Sequence, residues 1–205
     1  MQSNGLILRK YYGKKNYQNY LDHQKFKFDF YKKDLSETFE VRVNDFINNF
    51  KKFKIKCNDI KYTLCLGART GAEVCAFRKL NFFSIGIDIN YPKNSPYVMY
   101  GDFHYLDFPN ETFDIVYSNC VDHIYDLKLF INEAKRVCKK DGLIIFDLQK
   151  GKKESGRDNF GNYETLGWTS SDLIIKKILQ HNLKIESHEN TSKYYTQLLL
   201  KKISN

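Results

Sequence analysis

Three short segments combine glycines and carboxylates in a pattern that suits a nucleoside ligand. Residues 63–74 read TLCLGARTGAEV, with Gly67 and Gly71 between an apolar stretch and the start of a helical pattern. Asp88 ends the next apolar stretch, and Asp102 follows the third. Glycines let a ligand approach the backbone amides at a helix N-terminus. An acidic side chain at the tip of a second strand accepts hydrogen bonds from both hydroxyls of a ribose. The pattern therefore predicts a nucleoside-binding site.

A second group of residues has side chains that can move a proton. Asp122 and His123 follow the fourth apolar stretch, and His104 follows the third. The ordinary pKa of imidazole, about 6.5, lies near neutrality, so His123 is the first candidate for a general base. Asp122 takes the same role or orients the imidazole, and His104 is the second histidine candidate. For both histidines the alternative is a capping or packing role beside the ligand.

The elements that must position these groups alternate between strands and helices. Apolar stretches predict five strands, with the sequences KYTLCL, FSIGID, PYVMYGD, FDIVYSN and LIIFDLQ. Helices are predicted over GAEVCAFRKL and from Leu127 to a stop at KKDG, where Gly142 makes the turn. A helix over SSDLIIKKILQH precedes two more strands, LKIESHE and YYTQLLLKKI, which are close enough to pair as an antiparallel hairpin. The predicted fold class is α/β, a Rossmann-like, doubly wound, mostly parallel sheet with a C-terminal antiparallel hairpin.

The pattern divides the chain into two parts. Residues 1–55 are predicted to form a helical extension, with one helix over KNYQNYLDHQKFKFD and an amphipathic helix over about residues 37–53. Residues 56–205 hold the predicted ligand-binding domain. The polar segment 150–172 contains the single tryptophan, Trp168. Long loops of this kind are often functional, so the segment either forms a lid with the N-terminal helices or is a surface loop with Trp168 anchored in the core.

Composition sets the remaining expectations. The 205 residues are 42% hydrophobic and carry a formal net charge of +9. No apolar run has the length of a membrane span or of a signal peptide, so a cytoplasmic location without a membrane partner is expected. The five cysteines form no CxxC pair, so free thiols and no metal site are expected. The lysine clusters KKFKIK, QKGKK and LLLKKI suit either a nucleic-acid partner or a bias of composition without function.

The order of these motifs resembles the class I S-adenosylmethionine-dependent methyltransferases. The first loop of that family usually reads like LDLGCGTG, and residues 64–71 of this chain read LCLGARTG. GIDIN, GDFHYLDFPNETFDIVYSN and DGLIIFDLQ follow in the family order, so the resemblance covers roughly residues 60–150. It implies S-adenosyl-L-methionine as the cofactor. The cofactor contacts that it implies are Gly67, Ala68, Arg69, Thr70, Gly71, Glu73, Asp88, Ile89, Asp102, Phe103, Ser118 and Asn119.

The first loop departs from the family pattern at two positions. Cys65 stands where the family usually has an Asp or Glu that helps to orient the methionine end of the cofactor. Arg69 replaces the middle glycine. Arginine pairs with carboxylates in a bidentate way, so Arg69 reaches the methionine carboxylate or Glu73, or else lies over the loop in solvent. These departures leave open a chain that binds weakly or has lost activity.

The resemblance implies a methyltransferase, and the segment after the fourth strand narrows the acceptor. That segment reads SNCVDH and faces the methyl group in the family. It lacks the Asn/Asp-Pro-Pro-aromatic motif of enzymes that methylate base or amide nitrogens. We therefore expect O-methylation of a small molecule or of a sugar or glycan, with His123, Asp122 and His104 as candidate catalytic residues. The alternatives are an RNA or protein methyltransferase, which the charge of +9 suggests, and a catalytically inactive cofactor-binding protein.

Overall fold

The structure of the chain is a computed structural model that describes residues 5–11, 16–52 and 62–203. Within these ranges, nine strands form two sheets and six α-helices flank them. The strands are β1 (Leu6–Leu8), β2 (Tyr62–Leu66), β3 (Phe83–Asp88), β4 (Val98–Tyr100), β5 (Phe113–Ser118), β6 (Cys138–Gln149), β7 (Leu166–Trp168), β8 (Leu183–Asn190) and β9 (Tyr195–Lys202). The helices are α1 (Asn16–Glu37), α2 (Phe39–Lys51), α3 (Ala72–Lys79), α4 (Leu127–Val137), α5 (Lys152–Ser155) and α6 (Ser171–Leu179).

The central sheet has seven strands in the order β4-β3-β2-β5-β6-β9-β8. Strands β4 to β6 of this order are parallel, and β9 runs antiparallel to both β6 and β8. This confirms the predicted fold class, including the C-terminal hairpin, with β9 between β6 and the edge strand β8. From β2 the chain adds β3 and β4 on one side and then β5 and β6 on the other, so the strand order reverses between β2 and β5. Open α/β sheets bind their ligands at such a point.

The alternation of side chains along the strands builds two cores. Cys65, Tyr117 and Ile145 lie on the face that packs against α2 and α3. Leu66 and Val116 lie on the opposite face, with residues of α4 and α6. Helices cover both faces of the parallel part of the sheet, which is why β2, β3 and β5 are largely apolar.

The helices of the N-terminal region agree with the two predicted from the sequence. The apolar stripe of α2 enters the core, where the ring of Phe46 lies 4.8 Å from that of Phe77 and 4.9 Å from that of Tyr117. The predicted boundary between residues 55 and 56 lies outside the described residues. The division into an extension and a domain therefore stays a prediction.

The prediction that α4 continues to a turn at Gly142 is wrong. The helix ends at Val137, and Cys138 already pairs with Phe113 as the first residue of β6. A Cβ on Gly142 would lie 2.8 Å from the carbonyl oxygen of Asp114. The glycine therefore permits close approach of two neighbouring strands and does not end a helix.

Segment 150–172 has structure of its own. It contains α5 and β7, and β7 pairs with β1 in the small second sheet. Trp168 is buried, and its indole N–H donates to the carbonyl oxygen of Gln149 at 2.8 Å. Trp168 is therefore a core anchor, whereas Tyr163 and Glu164 of the same segment line a cavity described below.

Two further features concern the cysteines and membrane spans. Cys65, Cys75, Cys120 and Cys138 are buried free thiols, and Cys57 lies outside the described residues. Among the helices of the described ranges, none combines the length and apolar character of a membrane span.

Candidate active site

The loop after β2 lies at the carboxyl ends of the parallel strands, which are called the sheet edge from here on. Its backbone has a strained conformation. The backbone N–H groups of Gly67 and Ala68 donate to the carbonyl oxygen of Ile87 at 2.9 and 3.0 Å, tying the loop to β3. Gly67, Arg69 and Gly71 have positive φ angles of 71°, 48° and 85°. Arg69 thus keeps a left-handed backbone that costs a residue with a side chain roughly 1–2 kcal/mol.

Gly67 is required by packing as well as by its backbone angle. A Cβ at this position would lie 2.4 Å from the sulfur of Cys120, just beyond β5. The loop can therefore touch the end of β5 only with a glycine at this position, and the contact closes the floor between β2 and β5.

Asp88 ends β3 beside this loop, with its carboxylate held by backbone amides. Its Oδ2 accepts from the N–H of Arg69 at 2.9 Å, and its Oδ1 accepts from the N–H of Asn90 at 2.7 Å. Burial raises the pKa of Asp88, and these two backbone hydrogen bonds oppose the shift. Each carboxylate oxygen has a second lone pair, so the group can still accept hydrogen bonds from a diol.

Asp102 is engaged by two side chains. Its Oδ1 accepts from the backbone N–H and from Nδ1 of His104, both at 2.9 Å, and the hydroxyl of Tyr17 in α1 contacts Oδ2. Burial raises the pKa of Asp102, but the hydrogen bonds from His104 and Tyr17 outweigh burial and lower it below its ordinary value. The carboxylate is therefore ionised and oriented by partners on two elements.

His104 is a structural residue in this arrangement. It is buried, and its Nδ1 donates to Asp102 while its Nε2 accepts from the backbone N–H of Asp126 at 3.2 Å. Both ring nitrogens are thus in use, and neither remains to accept a proton from a ligand. This geometry disfavours the prediction that His104 is a general base and agrees with the alternative of a packing role.

Helix α1 forms the roof over the nucleoside-type groups. Tyr20, Lys27 and Tyr31 line one small cavity together with Gly67 and Asp88. This cavity measures about 50 Å³, whereas small-molecule sites measure roughly 300–1,000 Å³. The donors and acceptors of the sheet edge fit a nucleoside, but the side chains of α1 must shift to admit one.

Asp122 and His123 lie together in a short 3₁₀-helix, Val121–His123, beyond β5. Nδ1 of His123 donates to the carbonyl oxygen of Tyr163 at 3.2 Å, so Nε2 is the accepting nitrogen. Oδ2 of Asp122 lies 3.6 Å from that Nε2 and accepts from the side-chain amide of Gln149 at 3.2 Å. Burial lowers the pKa of His123 well below its usual range, and Lys27 and Arg69 lower it further. The pKa of this imidazole therefore lies below the ordinary value for which His123 was ranked first among the candidates.

Lys27 and Glu164 complete this cluster, and neither belongs to a motif recognised in the sequence. The amine of Lys27 contacts Nε2 of His123. Burial lowers the pKa of Lys27 to about 7, the charge of Arg69 adds to the effect, and Asp122 and Glu164 oppose it. Asp122, His123 and Glu164 bring their potential ligand atoms within 4.8 Å of one another. We assign no metal site to them, because the amine of Lys27 already lies against the imidazole.

A larger cavity adjoins the small one. It measures about 750 Å³, and its floor consists of Tyr117, Asn119, Asp147 and Gln149 at the ends of β5 and β6. Helix α2 supplies one wall, and Tyr163 and Glu164 supply another. Within the part of the chain that the structure describes, the residues that line both cavities are Lys27, Tyr31, Leu35, Arg69 and His123. Those five residues mark the junction through which a group would pass from one cavity to the other.

The structure separates the predicted cofactor contacts into groups. Gly67, Arg69, Asp88, Ile89 and Phe103 line the small cavity, and Arg69, Glu73 and Asn119 line the large one. The predicted residues that line neither cavity are Ala68, Thr70, Gly71, Asp102 and Ser118. Ser118 is buried and donates to the carbonyl oxygen of Leu66 at 3.2 Å, so it ties β5 to β2.

The unusual residue Cys65 faces the core under α2 and α3, with its sulfur 3.8 Å from the hydroxyl of Ser84. Of the carboxyl groups that line the large cavity, the one nearest to Cys65 in the sequence is Glu73, in the first turn of α3. Burial raises the pKa of Glu73, whereas Arg42 and Arg69 lower it. A carboxyl beside the first loop is therefore supplied by α3 and not by β2.

Comparisons with known proteins agree with this geometry. Residues 64–146 match the family model of a methyltransferase domain. One similar structure is 1,6-didemethyltoxoflavin-N1-methyltransferase from Burkholderia thailandensis, with bound 1,6-didemethyltoxoflavin and S-adenosylhomocysteine. It has a TM-score of 0.73 at 9% identity, over 100% of this chain and 98% of that one. No curated protein matches the chain in sequence.

Two further structures share the fold. An S-adenosylmethionine-dependent methyltransferase from Clostridium acetobutylicum ATCC 824 has a TM-score of 0.61 at 16% identity, over 89% of this chain and 100% of that one. The glycopeptide N-methyltransferase MtfA, complexed with S-adenosyl-L-methionine, has a TM-score of 0.59 at 7% identity, over 77% of this chain and 93% of that one. At such identities the likeness shows the fold.

Proposed function

We propose that this chain, which belongs to the class I S-adenosylmethionine-dependent methyltransferases, methylates a hydroxyl oxygen of a small molecule held in the larger cavity. S-adenosyl-L-methionine is the cofactor and supplies a methyl group bound to a positively charged sulfur. The observation that carries the proposal is the junction of the two cavities at Lys27, Arg69 and His123. One cavity has the groups that suit a nucleoside, and the other has room for a second reactant.

The residues of the sheet edge hold the cofactor in this proposal. Asp88 accepts hydrogen bonds from the ribose hydroxyls, and Asp102 faces the adenine amino group, with Phe103 flanking the ring. The positive end of α3, together with Arg69, suits the carboxylate of the methionine end. Glu73 suits its ammonium group, which an Asp or Glu in place of Cys65 serves in the common form of the loop.

The charge of the larger cavity supports a small molecule over RNA as the acceptor. Among the described residues, six carboxyl side chains line it against the three basic side chains Lys27, Arg42 and Arg69, although the chain as a whole has a charge of +9. The carboxyl side chains are Asp34, Asp45, Glu73, Asp122, Asp147 and Glu164. Phosphate groups gain binding energy from basic surfaces and are repelled by acidic ones. The cavity volume lies within the usual range of small-molecule sites.

The cluster of Asp122 and His123 supports a hydroxyl acceptor. A hydroxyl oxygen must lose its proton during methyl transfer, and a positioned base accelerates such steps by roughly 10²–10⁴-fold. His123 lines both cavities, and Oδ2 of Asp122, which lines the larger one, lies 3.6 Å from its Nε2. The imidazole is neutral, because its pKa lies below the usual range. The cluster, which includes the amine of Lys27, therefore offers groups that accept and orient a proton beside the place where the two reactants meet.

The remaining parts of the proposal concern organisation. Residues 1–55 act as a helical extension that covers the site, and residues 56–205 act as the cofactor-binding domain. A cytoplasmic location belongs to the same proposal.

Transfer of tritium from methyl-labelled S-adenosylmethionine tests the acceptor class. We expect label in a panel of small phenols and sugars, with little change between about 50 and 200 mM salt. Label in total RNA that falls steeply over that range would contradict the small-molecule acceptor, since phosphate contacts give such a slope. S-adenosylhomocysteine binding without label in any fraction would instead support the inactive alternative.

A further inference from the structure

We propose that Lys27 of α1 is the group that accepts the proton of the acceptor hydroxyl. The inference rests on the proposed function, since it assigns one step of that reaction. The inference goes beyond the proposed function, because the sequence predicted the base to be His123, Asp122 or His104 and not a residue of the N-terminal helix.

The position of Lys27 is the first argument. Its side chain is one of the five that line both cavities, so it lies where the two reactants meet. Its amine contacts Nε2 of His123, which ties it to the cluster beyond β5. A base must lie within hydrogen-bond reach of the proton that it removes, and a side chain that lines both cavities is placed to reach a hydroxyl held in the larger one.

The hydrogen bonds of His123 and Asp122 are the second argument. Nδ1 of His123 donates to the carbonyl oxygen of Tyr163, and its Nε2 accepts from Lys27. Asp122 accepts from the side-chain amide of Gln149. The imidazole has no free accepting nitrogen, so His123 positions the amine of Lys27 and does not take the proton itself.

The charged groups around the amine are the third argument. Arg69 faces it from the first loop, and His23 lies near on α1. Asp122 and His123 face it from beyond β5, and Glu164 from the segment before β7. Burial and the charge of Arg69 outweigh the two carboxylates and lower the pKa of Lys27 to about 7. The positive sulfur of the cofactor adds to this effect, so the amine has a free lone pair near neutral pH.

The step balances without a further reactant. The hydroxyl oxygen forms a bond to the methyl carbon while the carbon–sulfur bond breaks, and the electron pair of that bond stays on sulfur. The hydroxyl proton moves to Nζ of Lys27. The products are the methyl ether, S-adenosylhomocysteine and a lysine ammonium, which then releases its proton to solvent.

A different role for Lys27 makes different predictions. A charged lysine at this position would bind the carboxylate of the methionine end. Its loss would then weaken cofactor binding, and an arginine would restore it. A proton acceptor has the opposite behaviour, because arginine stays protonated and offers no lone pair.

Three variants separate these roles. Lys27→Met keeps the length of the side chain without an amine, Lys27→Arg keeps a positive charge, and Lys25→Met is the matched control. Lys25 lies on the same helix, with its side chain 65% exposed and paired with Asp29 at 2.9 Å. S-adenosylhomocysteine is titrated into each by calorimetry. We expect the affinity of Lys27→Met to change by less than about threefold, well below the tenfold that 1.4 kcal/mol represents. Retained binding also shows that the variant is folded.

The second readout is the titration of the lysine itself, which requires no acceptor. Chemical shifts of ¹³Cε-labelled lysines are followed from about pH 5 to about pH 10 in the complex with S-adenosylhomocysteine, and the signal absent from Lys27→Met is assigned to Lys27. We expect its midpoint near 7, whereas Lys25 should stay protonated up to about pH 10. A midpoint for Lys27 above about 9 would overturn the proposal, since the amine would then be charged at working pH.

The third readout is turnover of whichever phenol or sugar the wild-type protein methylates. We expect kcat of the wild type to rise with pH to a plateau above about 7. In Lys27→Met and Lys27→Arg, kcat should fall by about 10²–10⁴-fold and should no longer rise with pH. The kcat of Lys25→Met should match that of the wild type. Turnover restored by arginine, with weaker cofactor binding in Lys27→Met, would assign the lysine to the carboxylate instead. If the wild type methylates nothing in the panel, the proposed function fails, while the lysine midpoint still decides whether Lys27 has a lone pair.

Discussion

The sheet edge and the helix that covers it contribute to the site in different ways. The sheet edge contributes backbone groups, such as the N–H groups of Arg69 and Asn90 that hold Asp88. Helix α1 contributes side chains, namely the hydroxyl of Tyr17 on Asp102 and the amine of Lys27 on His123. In the proposed site, the side that holds the cofactor is thus built largely from main-chain groups, and the side where the reaction occurs depends on individual side chains.

This difference explains why the first loop tolerates unusual residues. Cys65 points into the core, and Arg69 adopts the left-handed backbone with a φ of 48° that a glycine would adopt without strain. The amides that hold Asp88 keep their positions all the same. The interactions of α1 are made by side chains, so a substitution there removes them. We therefore expect α1 to determine which acceptor is bound and how its proton is removed.

The largest effect on stability is expected at Gly67, where the sheet edge depends on backbone conformation and on space. Gly67→Ala should lower the free energy of unfolding by about 2–4 kcal/mol, because overpacking adds about 1–3 kcal/mol to about 1 kcal/mol of backbone strain. Urea denaturation measures the change. Gly156 is the matched control, since its φ is 74° and a Cβ there meets nothing within 4 Å.

Gly156→Ala should therefore cost about 1 kcal/mol, the part due to the backbone alone. Equal losses in the two variants would show that the contact of Gly67 with Cys120 does not matter.

The same contrast explains what the sequence could predict. The strands, the hairpin and the acid at the tip of β3 follow from local patterns, namely apolar runs, turn residues and the position of Asp88. Lys27 gives no local signal, because a lysine on a polar helix is buried only through the packing of α1 over the sheet. The prediction for Gly142 is wrong for the same reason. A glycine is required there because the carbonyl oxygen of Asp114, on a neighbouring strand, leaves no room for a Cβ. In both cases the role of the residue depends on contacts with segments distant in the sequence, so a local pattern could not predict it.

The floor of the larger cavity, like helix α1, contributes side chains to the site. Burial raises the pKa of Asp147 to about 7, although Tyr117 and Gln197 donate to it at 3.3 Å. The unfolded chain loses this proton near pH 4, so the folded state holds the extra proton between about 4 and 7. Stability contributed by the protonated form is therefore lost as pH rises through that window and does not return above it.

Asp147→Asn cannot ionise and should be more stable than the wild type by about 1–3 kcal/mol near pH 8, with the difference vanishing near pH 4. Thermal unfolding across this pH range measures it, with Asp45→Asn, an exposed carboxyl of the same cavity, as the control. A wild type whose stability rises between pH 4 and 8 relative to Asp147→Asn would show that the carboxylate is ionised and stabilising.

The smallest effect on stability is expected at Arg69, the side chain that the sheet edge adds to its backbone. Arg69→Gly should raise the free energy of unfolding by about 1 kcal/mol, since glycine adopts a positive φ without strain. It should also weaken S-adenosylhomocysteine binding by about five- to tenfold if the guanidinium pairs with the methionine carboxylate. Chemical denaturation and calorimetry measure the two effects. Equal or tighter binding would show that the arginine is not a ligand.

In the proposed reaction, the cofactor lies at the sheet edge against Asp88. Calorimetric titration of S-adenosylhomocysteine into the wild type and into Asp88→Ala tests this, with Asp107→Ala, an exposed carboxyl after His104, as the control. Loss of the ribose hydrogen bonds to a carboxylate should cost about 1.5–3 kcal/mol, which is a roughly 10- to 150-fold weaker affinity. The same affinity in Asp88→Ala as in the wild type and Asp107→Ala would contradict the placement of the cofactor.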